Sequence, residues 1–149
     1  MSFEDTQPFN HKQLRRTNMS KPVNAILIDP KTETIQIIPM NNVNDLEEMK
    51  KWIDCEMIEL AITFDELKVD MFCDEEGWLR NREIYGFEFD GVLIPSKALV
   101  LGYTEDGEQT PLSKVKMSYM LNLLFKGITW RGELTEADMP QIEVTGFTL

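Results

Sequence analysis

Four side chains in the middle of the chain combine two chemistries that bind small anionic molecules. Arg80 and Arg82 can bind carboxylates or phosphates through their planar guanidinium groups. Trp78 and Tyr85 can pack a ring against a base or another flat group. We therefore interpret this segment as a candidate ligand-binding site. The alternative is an exposed segment with ordinary surface salt bridges.

Two runs of carboxylates are candidates for a different kind of surface. One run precedes Gly77 and the other surrounds Gly107. Carboxylate oxygens bind Mg²⁺ and Ca²⁺, but neither run has the spacing of an EF-hand loop, and adjacent acids in glycine-containing turns are normally solvated. We predict no metal site here. The runs are instead candidates for an acidic interaction surface made of Asp74, Glu75, Glu76, Glu105, Asp106 and Glu108.

The sequence contains no recognisable set of catalytic residues. The only histidine, His11, lies near the N-terminus, which argues against a histidine-based triad or a multi-histidine zinc site. The two cysteines, Cys55 and Cys73, are too few for a disulfide scaffold, and neighbouring carboxylates should raise the thiol pKa of Cys73. We predict a protein without enzymatic activity or cofactor. A hydrolase with paired carboxylates from distant positions stays open as a third hypothesis.

The chain is strongly acidic, and its charge is unevenly distributed. It has 149 residues, of which 15 are Lys or Arg and 26 are Asp or Glu, for a net charge of −11. Residues 1–22 contain four basic and two acidic residues. We interpret them as a polar, mildly basic, flexible tail, followed by a single domain at 23–149. The negative charge of this domain disfavours direct binding to nucleic acid.

Short apolar runs between turn residues predict the strands of the domain. The predicted strands are 23–29, 33–39, 57–63, 66–73, 87–93, 98–102 and an edge strand from Ile142 to Val144. The first two flank the turn residues Asp29-Pro30-Lys31-Thr32 and should form a β-hairpin. Alternation in 66–73 indicates a sheet with one solvent-exposed face. Gly77 lies in the turn that follows and would supply a positive φ if one is required.

Two helices complete the predicted domain. Asn44 can cap a helix that ends at residue 53, and Thr110-Pro111 is typical of the start of a helix that ends at Gly127. The apolar face of the second helix would contain Leu112, Val115, Tyr119 and Leu123, with Met120 and Leu124 beside them. The predicted class is α+β, with a small mixed, mostly antiparallel sheet and two helices packed on one face.

Three segments together resemble a known family. They are Ala25 to Pro30, Asp74-Glu75-Glu76-Gly77 with Leu79 and Asn81, and Ala98 to Gly102 followed by Asp106-Gly107-Glu108. The pattern resembles the family called domain of unknown function 3846 and extends from residue 23 to residue 125. This resemblance implies a genomic setting in bacteriophages, plasmids and other bacterial mobile elements. It implies no reaction and no catalytic residues.

Two functional hypotheses follow from these observations. The first is a non-enzymatic accessory protein of a bacteriophage or mobile element that binds and modulates a bacterial host protein. That host protein would belong to a defence or nucleic-acid-processing system, and the acidic domain would mimic nucleic acid in the sharpest form of the hypothesis. The alternative is a protein that binds a nucleotide or another small ligand between subunits, with Phe87 and Trp130 as further aromatic candidates.

The location and assembly of the protein are predicted from weaker features. The polar N-terminus and the lack of an apolar run of about 20 residues predict a cytoplasmic protein that does not enter a membrane. An exposed edge strand near Ile142 would allow two copies to pair as a symmetric dimer.

Overall fold

The fold is given by a computed structural model, which describes residues 23–80 and 82–140. In chain order, the strands and α-helices of this part are β1 (Val23–Asp29), β2 (Thr34–Pro39), α1 (Leu46–Ile53), β3 (Ile58–Phe64), β4 (Val69–Asp74), β5 (Tyr85–Phe89), β6 (Val92–Ile94), β7 (Ala98–Tyr103), β8 (Gln109–Thr110), α2 (Lys114–Gly127) and β9 (Thr129–Glu133). Short 3₁₀ helices lie at Gly77–Leu79 and Glu136–Asp138.

The strands form two antiparallel sheets. The main sheet has the order β2-β1-β7-β4-β3, and the two-residue β8 pairs with the end of β7. The second sheet has the order β6-β5-β9. Every one of these pairings is antiparallel. The predicted α+β class and mostly antiparallel sheet are therefore confirmed, and so is the first hairpin, in which Asp29 pairs with Thr34.

The main sheet is covered on both faces, because successive side chains of a strand point to opposite sides. Ile26 and Ile28 of β1 belong to a core cluster that contains Met120 of α2. Leu27, which lies between them, belongs to a second cluster with Met49 of α1. The helices therefore lie on opposite faces, and the prediction that both pack on one face is wrong. The consecutive apolar residues of β1 and β7 are typical of strands that are buried on both sides.

The predicted strand at 66–73 starts later than expected and has no solvent-exposed face. Residues 65–68 form a turn, in which Lys68 has a φ of 57°. β4 lies between β7 and β3, where both of its faces are covered. Asp70 is one of the polar residues whose alternation predicted a solvent-exposed face, but it is buried and accepts a 2.6 Å hydrogen bond from the Thr63 hydroxyl. This hydrogen bond replaces one that the carboxylate would make to water if it were exposed.

The first helix is capped by Asp45 and not by Asn44 as predicted. The Asp45 carboxylate accepts hydrogen bonds from the backbone N–H groups of Glu47 at 3.0 Å and Glu48 at 3.4 Å. The Asn44 side chain is instead bound to the backbone of Gln109, from which it accepts at 2.9 Å and to which it donates at 3.0 Å. Asn44 thus joins the start of α1 to β8.

The second helix starts at Lys114 with Ser113 as its cap, and Thr110, the predicted cap, belongs to β8. Its buried face also differs from the prediction, because Val115 and Tyr119 are exposed. Apolar residues occur on both sides of this helix, so their spacing does not decide which side packs on the sheet. The side that packs carries Met117, Met120 and Leu124.

Gly77 is required for a close approach and not for a positive φ. A Cβ atom at this position would lie 2.9 Å from Cγ of Pro95. Left-handed backbone does occur in the turn between β5 and β6, where Asp90 has a φ of 53° and Gly91 a φ of 77°. Two successive left-handed residues match the twist of a tight hairpin.

The chain after α2 forms a strand that the sequence pattern does not reveal. β9 pairs with β5, and the Phe87 and Trp130 rings meet edge to face with their centroids 6.2 Å apart. The predicted tail at 1–22 and the predicted edge strand at 142–144 lie outside the described residues. None of the helices in the described part is both long and apolar enough to cross a membrane.

Candidate ligand-binding site

Several separate segments of the chain line one cavity of about 290 Å³. They are the β1–β2 turn, the C-terminal end of α1, the end of β4, the segment before β5, and the β6–β7 loop. This volume is at the lower end of the range for ligand pockets. The basic residues of the lining are Lys31, Arg80, Arg82 and Lys97. Its acidic residues are Asp29, Asp54, Asp74 and Glu83.

A buried ion pair holds the end of β4 to the segment that precedes β5. Nε and Nη2 of Arg80 both lie 2.8 Å from Oδ2 of Asp74, whose side chain is only 2% exposed. Oδ1 of Asp74 accepts a 2.8 Å hydrogen bond from the backbone N–H of Glu76. The backbone N–H of Asp74 donates to the Ser96 hydroxyl at 3.1 Å. Because both carboxylate oxygens have protein partners, Asp74 positions the site.

Arg80 and Arg82 both contact the C-terminal end of α1. Asp54 ends the helix in the left-handed conformation, with φ 64° and ψ 57°, and its N–H donates to the carbonyl of Lys50 at 2.7 Å. The Asp54 carbonyl accepts from Arg80 Nη2 at 3.2 Å and from Arg82 Nη2 at 3.5 Å. Arg82 also reaches the Asp54 carboxylate at 3.3 Å. These cations complement the negative C-terminal end of the helix dipole.

Two lysines at the cavity have no carboxylate partner among the residues that the structure describes. Lys31 and Lys97 make no ion pair with any residue of the described chain. The Lys31 ammonium lies 5.7 Å from the centroid of the Tyr85 ring, within cation–π distance. The charge of Glu83 raises the pKa of the Tyr85 phenol, so this ring stays neutral at physiological pH. Within the described residues, the cavity thus combines a neutral aromatic ring with two lysines that are in no ion pair.

A comparison with known protein families identifies the family to which the chain belongs. A family model described as domain of unknown function (DUF3846) matches residues 23–124. The chain belongs to this family. No curated protein and no solved structure matches the sequence. Since the DUF3846 description states no reaction, the function has to be inferred from the cavity and the surface.

Three of the four predicted ligand-binding residues come together at the cavity, inside the segment that matches DUF3846. Arg80, Arg82 and Tyr85 line it, whereas Trp78 is half-buried in the first 3₁₀ helix and does not. The other aromatic candidates, Phe87 and Trp130, pack against each other and not against the cavity.

Sequence reasoning missed the residues that reach the cavity from distant segments. Lys31 lies in the β1–β2 turn, Asp54 ends α1, and Lys97 lies in the loop before β7. The only signal at Lys31 is its place in the Asp-Pro-Lys-Thr turn, which sets backbone geometry and not ligand chemistry. For Lys97, the Pro95-Ser96-Lys97 loop gives an equally general signal.

The two acidic runs lie at opposite ends of β4. Asp74, at the C-terminal end of the strand, is buried, whereas Glu75 is exposed and Glu76 is half-buried. In the second run, Glu105 forms an ion pair with Lys68, which immediately precedes the strand. The other two members of this run, Asp106 and Glu108, are exposed. A strand of this length separates the runs by about 17 Å at 3.3 Å per residue, and Asp74 cannot contribute to a surface.

Both thiols are held in their protonated form. Burial, followed by the charge of Asp74, raises the pKa of Cys55 to about 11. Burial, followed by the charge of Glu59, raises the pKa of Cys73 to about 12. The predicted rise at Cys73 is confirmed. Thiols that stay protonated at neutral pH are poor nucleophiles.

The carboxylates and thiols are not arranged as a metal site within the described chain. Over residues 23–80 and 82–140, no group of three or more His, Cys, Asp or Glu side chains is placed to hold a metal ion. At the cavity, Lys31, Arg82, Tyr85 and Lys97 offer electrostatic and hydrogen-bonding recognition of a ligand.

Proposed function

We propose that this DUF3846 protein is a non-enzymatic binding protein whose cavity takes a small anionic ligand of mononucleotide size. The observation that supports the proposal is the presence at one cavity of two cations, Lys31 and Lys97, that pair with no carboxylate of residues 23–80 and 82–140. In a chain with a net charge of −11, such cations would be expected to attract a carboxylate. Because Lys31 and Lys97 pair with no carboxylate of the described chain, they are suited to bind an anion from solution.

The two arginines have different roles in this proposal. Arg80 is held by the buried Asp74 and positions the segment that carries Arg82. Arg82 is 52% exposed, and its distances to Asp54 are 3.3 Å and 3.5 Å. Exposed ion pairs of this kind contribute little to stability. Arg82 can therefore exchange Asp54 for a ligand phosphate at small energetic cost.

The first test is to denature the purified protein and analyse the released small molecules by mass spectrometry. Calorimetric titration then measures affinity for the released compound or, if none is found, for mononucleotides and inorganic phosphate. Arg82→Gln and Lys97→Gln should each weaken binding by about tenfold or more, since a charge-assisted hydrogen bond contributes roughly 1.5–3 kcal/mol. Lys126→Gln removes an exposed lysine outside the cavity and should leave the affinity unchanged.

The proposal fails if none of these anions binds. It also fails if binding is equally strong in the Arg82→Gln, Lys97→Gln and Lys126→Gln proteins, because the ligand would then lie elsewhere. Raised salt should weaken binding at the cavity, because the attraction between exposed charges is screened.

A second candidate function is that of an accessory protein of a bacteriophage or mobile element that binds a bacterial host protein in the cytoplasm. The observation that favours it is the exposed acidic turn between β7 and β8, with Glu105, Asp106 and Glu108. The two acidic runs are too far apart to form one continuous acidic surface, so this turn would make the contact without Asp74 or Glu75. A short acidic turn matches a local basic patch better than a long groove.

Affinity capture from bacterial lysate tests this second function. A stoichiometric partner should be retained by the wild-type protein and lost when the turn carries Glu105→Gln, Asp106→Asn and Glu108→Gln. The control carries Arg82→Gln, which alters the cavity and leaves the acidic turn intact. Retention of the same partner by the neutralised turn would exclude this surface as the contact.

A further inference from the structure

The outer face of α2 carries large apolar side chains in contact with solvent. Val115, Tyr119 and Phe125 are 78%, 53% and 68% exposed. Val115 and Tyr119 are four residues apart and so lie one above the other, and Phe125 lies next to Asn122, which continues their row. The opposite side of the helix packs on the main sheet. Single exposed apolar residues are common, but three on the solvent side of one helix, with only Ser118 and Asn122 between them, need an explanation.

The charges around this face distinguish it from the rest of the protein. α2 contains Lys114, Lys116 and Lys126 and no acidic residue. None of these lysines forms an ion pair within residues 23–80 and 82–140. Lys114 and Lys126 lie at the two ends of the exposed face. A basic, apolar helix face on a protein with a net charge of −11 is a local reversal of charge.

From this charge pattern we infer that the outer face of α2 binds an acidic, amphipathic segment of a partner protein. The apolar side chains of that segment would cover Val115, Tyr119 and Phe125, and its carboxylates would meet the lysines at the ends of the helix. A second copy of the chain fits less well, because symmetric packing of this face on itself would bring lysines against lysines. This inference is independent of the ligand proposed for the cavity, which α2 does not line.

The probes for this inference are two labelled amphipathic helical peptides of about 15 residues. They share a leucine face, and one carries glutamates on its flanks where the other carries lysines. Fluorescence anisotropy should show binding of the acidic peptide and none of the basic peptide. Phe125→Ser should weaken binding of the acidic peptide by about tenfold or more, since large aromatic side chains that become buried dominate such interfaces.

Charge reversal gives the decisive control. The double variant Lys114→Glu with Lys126→Glu should lose the acidic peptide and gain affinity for the basic one. Lys51→Glu, which reverses an exposed lysine of α1, should bind both peptides like the wild type. All four substituted side chains are exposed, and thermal melts verify that each variant is folded.

Three results would overturn the inference. One is failure of the acidic peptide to bind at about millimolar concentration. Another is equal binding of the two peptides or of the charge-reversed protein. The third is a different occupant, seen either as dimerisation that Phe125→Ser abolishes in analytical ultracentrifugation, or as single-stranded DNA binding that requires Tyr119.

Discussion

Replacing Arg80 with methionine should destabilise the fold far more than the same change at Arg82. In the wild-type protein, Nε of Arg80 donates to Oδ2 of Asp74 at 2.8 Å, and Nη2 lies 2.8 Å from the same oxygen and donates to the Asp54 carbonyl at 3.2 Å. Methionine fills much of the same space but leaves the Asp74 carboxylate, which is 2% exposed, without its cation. Removal of one partner from a buried pair typically costs about 3–5 kcal/mol.

The expected loss lies at the lower end of that range. The Arg80 side chain is 24% exposed, so water screens part of the interaction, and Asp74 keeps its hydrogen bond from the Glu76 N–H. We therefore expect a loss of about 3 kcal/mol in the free energy of unfolding, which corresponds to a fall of about 10 °C in Tm for a domain of this size. Arg82→Met removes a half-exposed ion pair and should cost about 0.5 kcal/mol.

Urea denaturation of four proteins tests the reasoning: the wild type, Arg80→Met, Asp74→Asn and the double variant. If the buried charge is the cause, the double variant should be about 1–3 kcal/mol more stable than the sum of the single losses implies. Additive losses, or a loss below about 1 kcal/mol for Arg80→Met, would refute the view that this pair holds the site together.

Three further predictions concern the scaffold. Gly86→Ala should destabilise the protein by about 1–3 kcal/mol, because the new Cβ would lie 2.5 Å from Leu134 Cδ1 and 2.8 Å from the Ile94 carbonyl oxygen; a urea midpoint equal to that of the wild type would contradict this. Asp45→Ala should cost about 1 kcal/mol through loss of the α1 cap, and circular dichroism melts should show a smaller loss if Asp45 is not the cap. The Cys73 thiol has its pKa raised from 9.0 to about 12. The unfolded chain releases this proton at a lower pH than the folded chain, so the free energy of unfolding should fall as the pH rises from about 9 towards 12. The fall should be less steep in Cys73→Ala. Identical pH profiles of the two proteins would show that the thiol has the same pKa in the folded and the unfolded chain.

The positions of β1, β2, β3 and β7 were well predicted because their apolar runs are short and bounded by turn residues. The predicted strand at 87–93 was wrong, because a turn at Asp90 and Gly91 divides it into β5 and β6. The arrangement of layers was not, because periodicity shows that a segment is buried without showing what buries it. For α2 the difficulty is specific: Met120 and Tyr119 are adjacent, and both could face a core. Only the packing of Met120 on β1 and its neighbours decides that Tyr119 faces solvent.

At the candidate site too, the sequence predicted only the residues that lie close together along the chain. Arg80, Arg82 and Tyr85 are close in sequence, so local composition was enough to single them out. Lys31 and Lys97 become their neighbours only because β1 and β7 are adjacent, with Ile28 opposite Ala98 in the register. Antiparallel pairing of these strands places the residue after Asp29-Pro30 near the residue before Ala98. No local pattern contains that information.

The division of roles at the cavity decides which variants are informative about binding. Arg80 and Asp74 stabilise the fold and also hold the segment that carries Arg82, so a loss of ligand after Arg80→Met would follow from either effect. Arg82 and Lys97 have no buried partner. Their replacement should therefore change affinity with little change in Tm. A protein in which Lys97→Gln lowers affinity while Tm stays constant would identify Lys97 as a ligand contact, whereas a parallel loss of both would assign it to the scaffold.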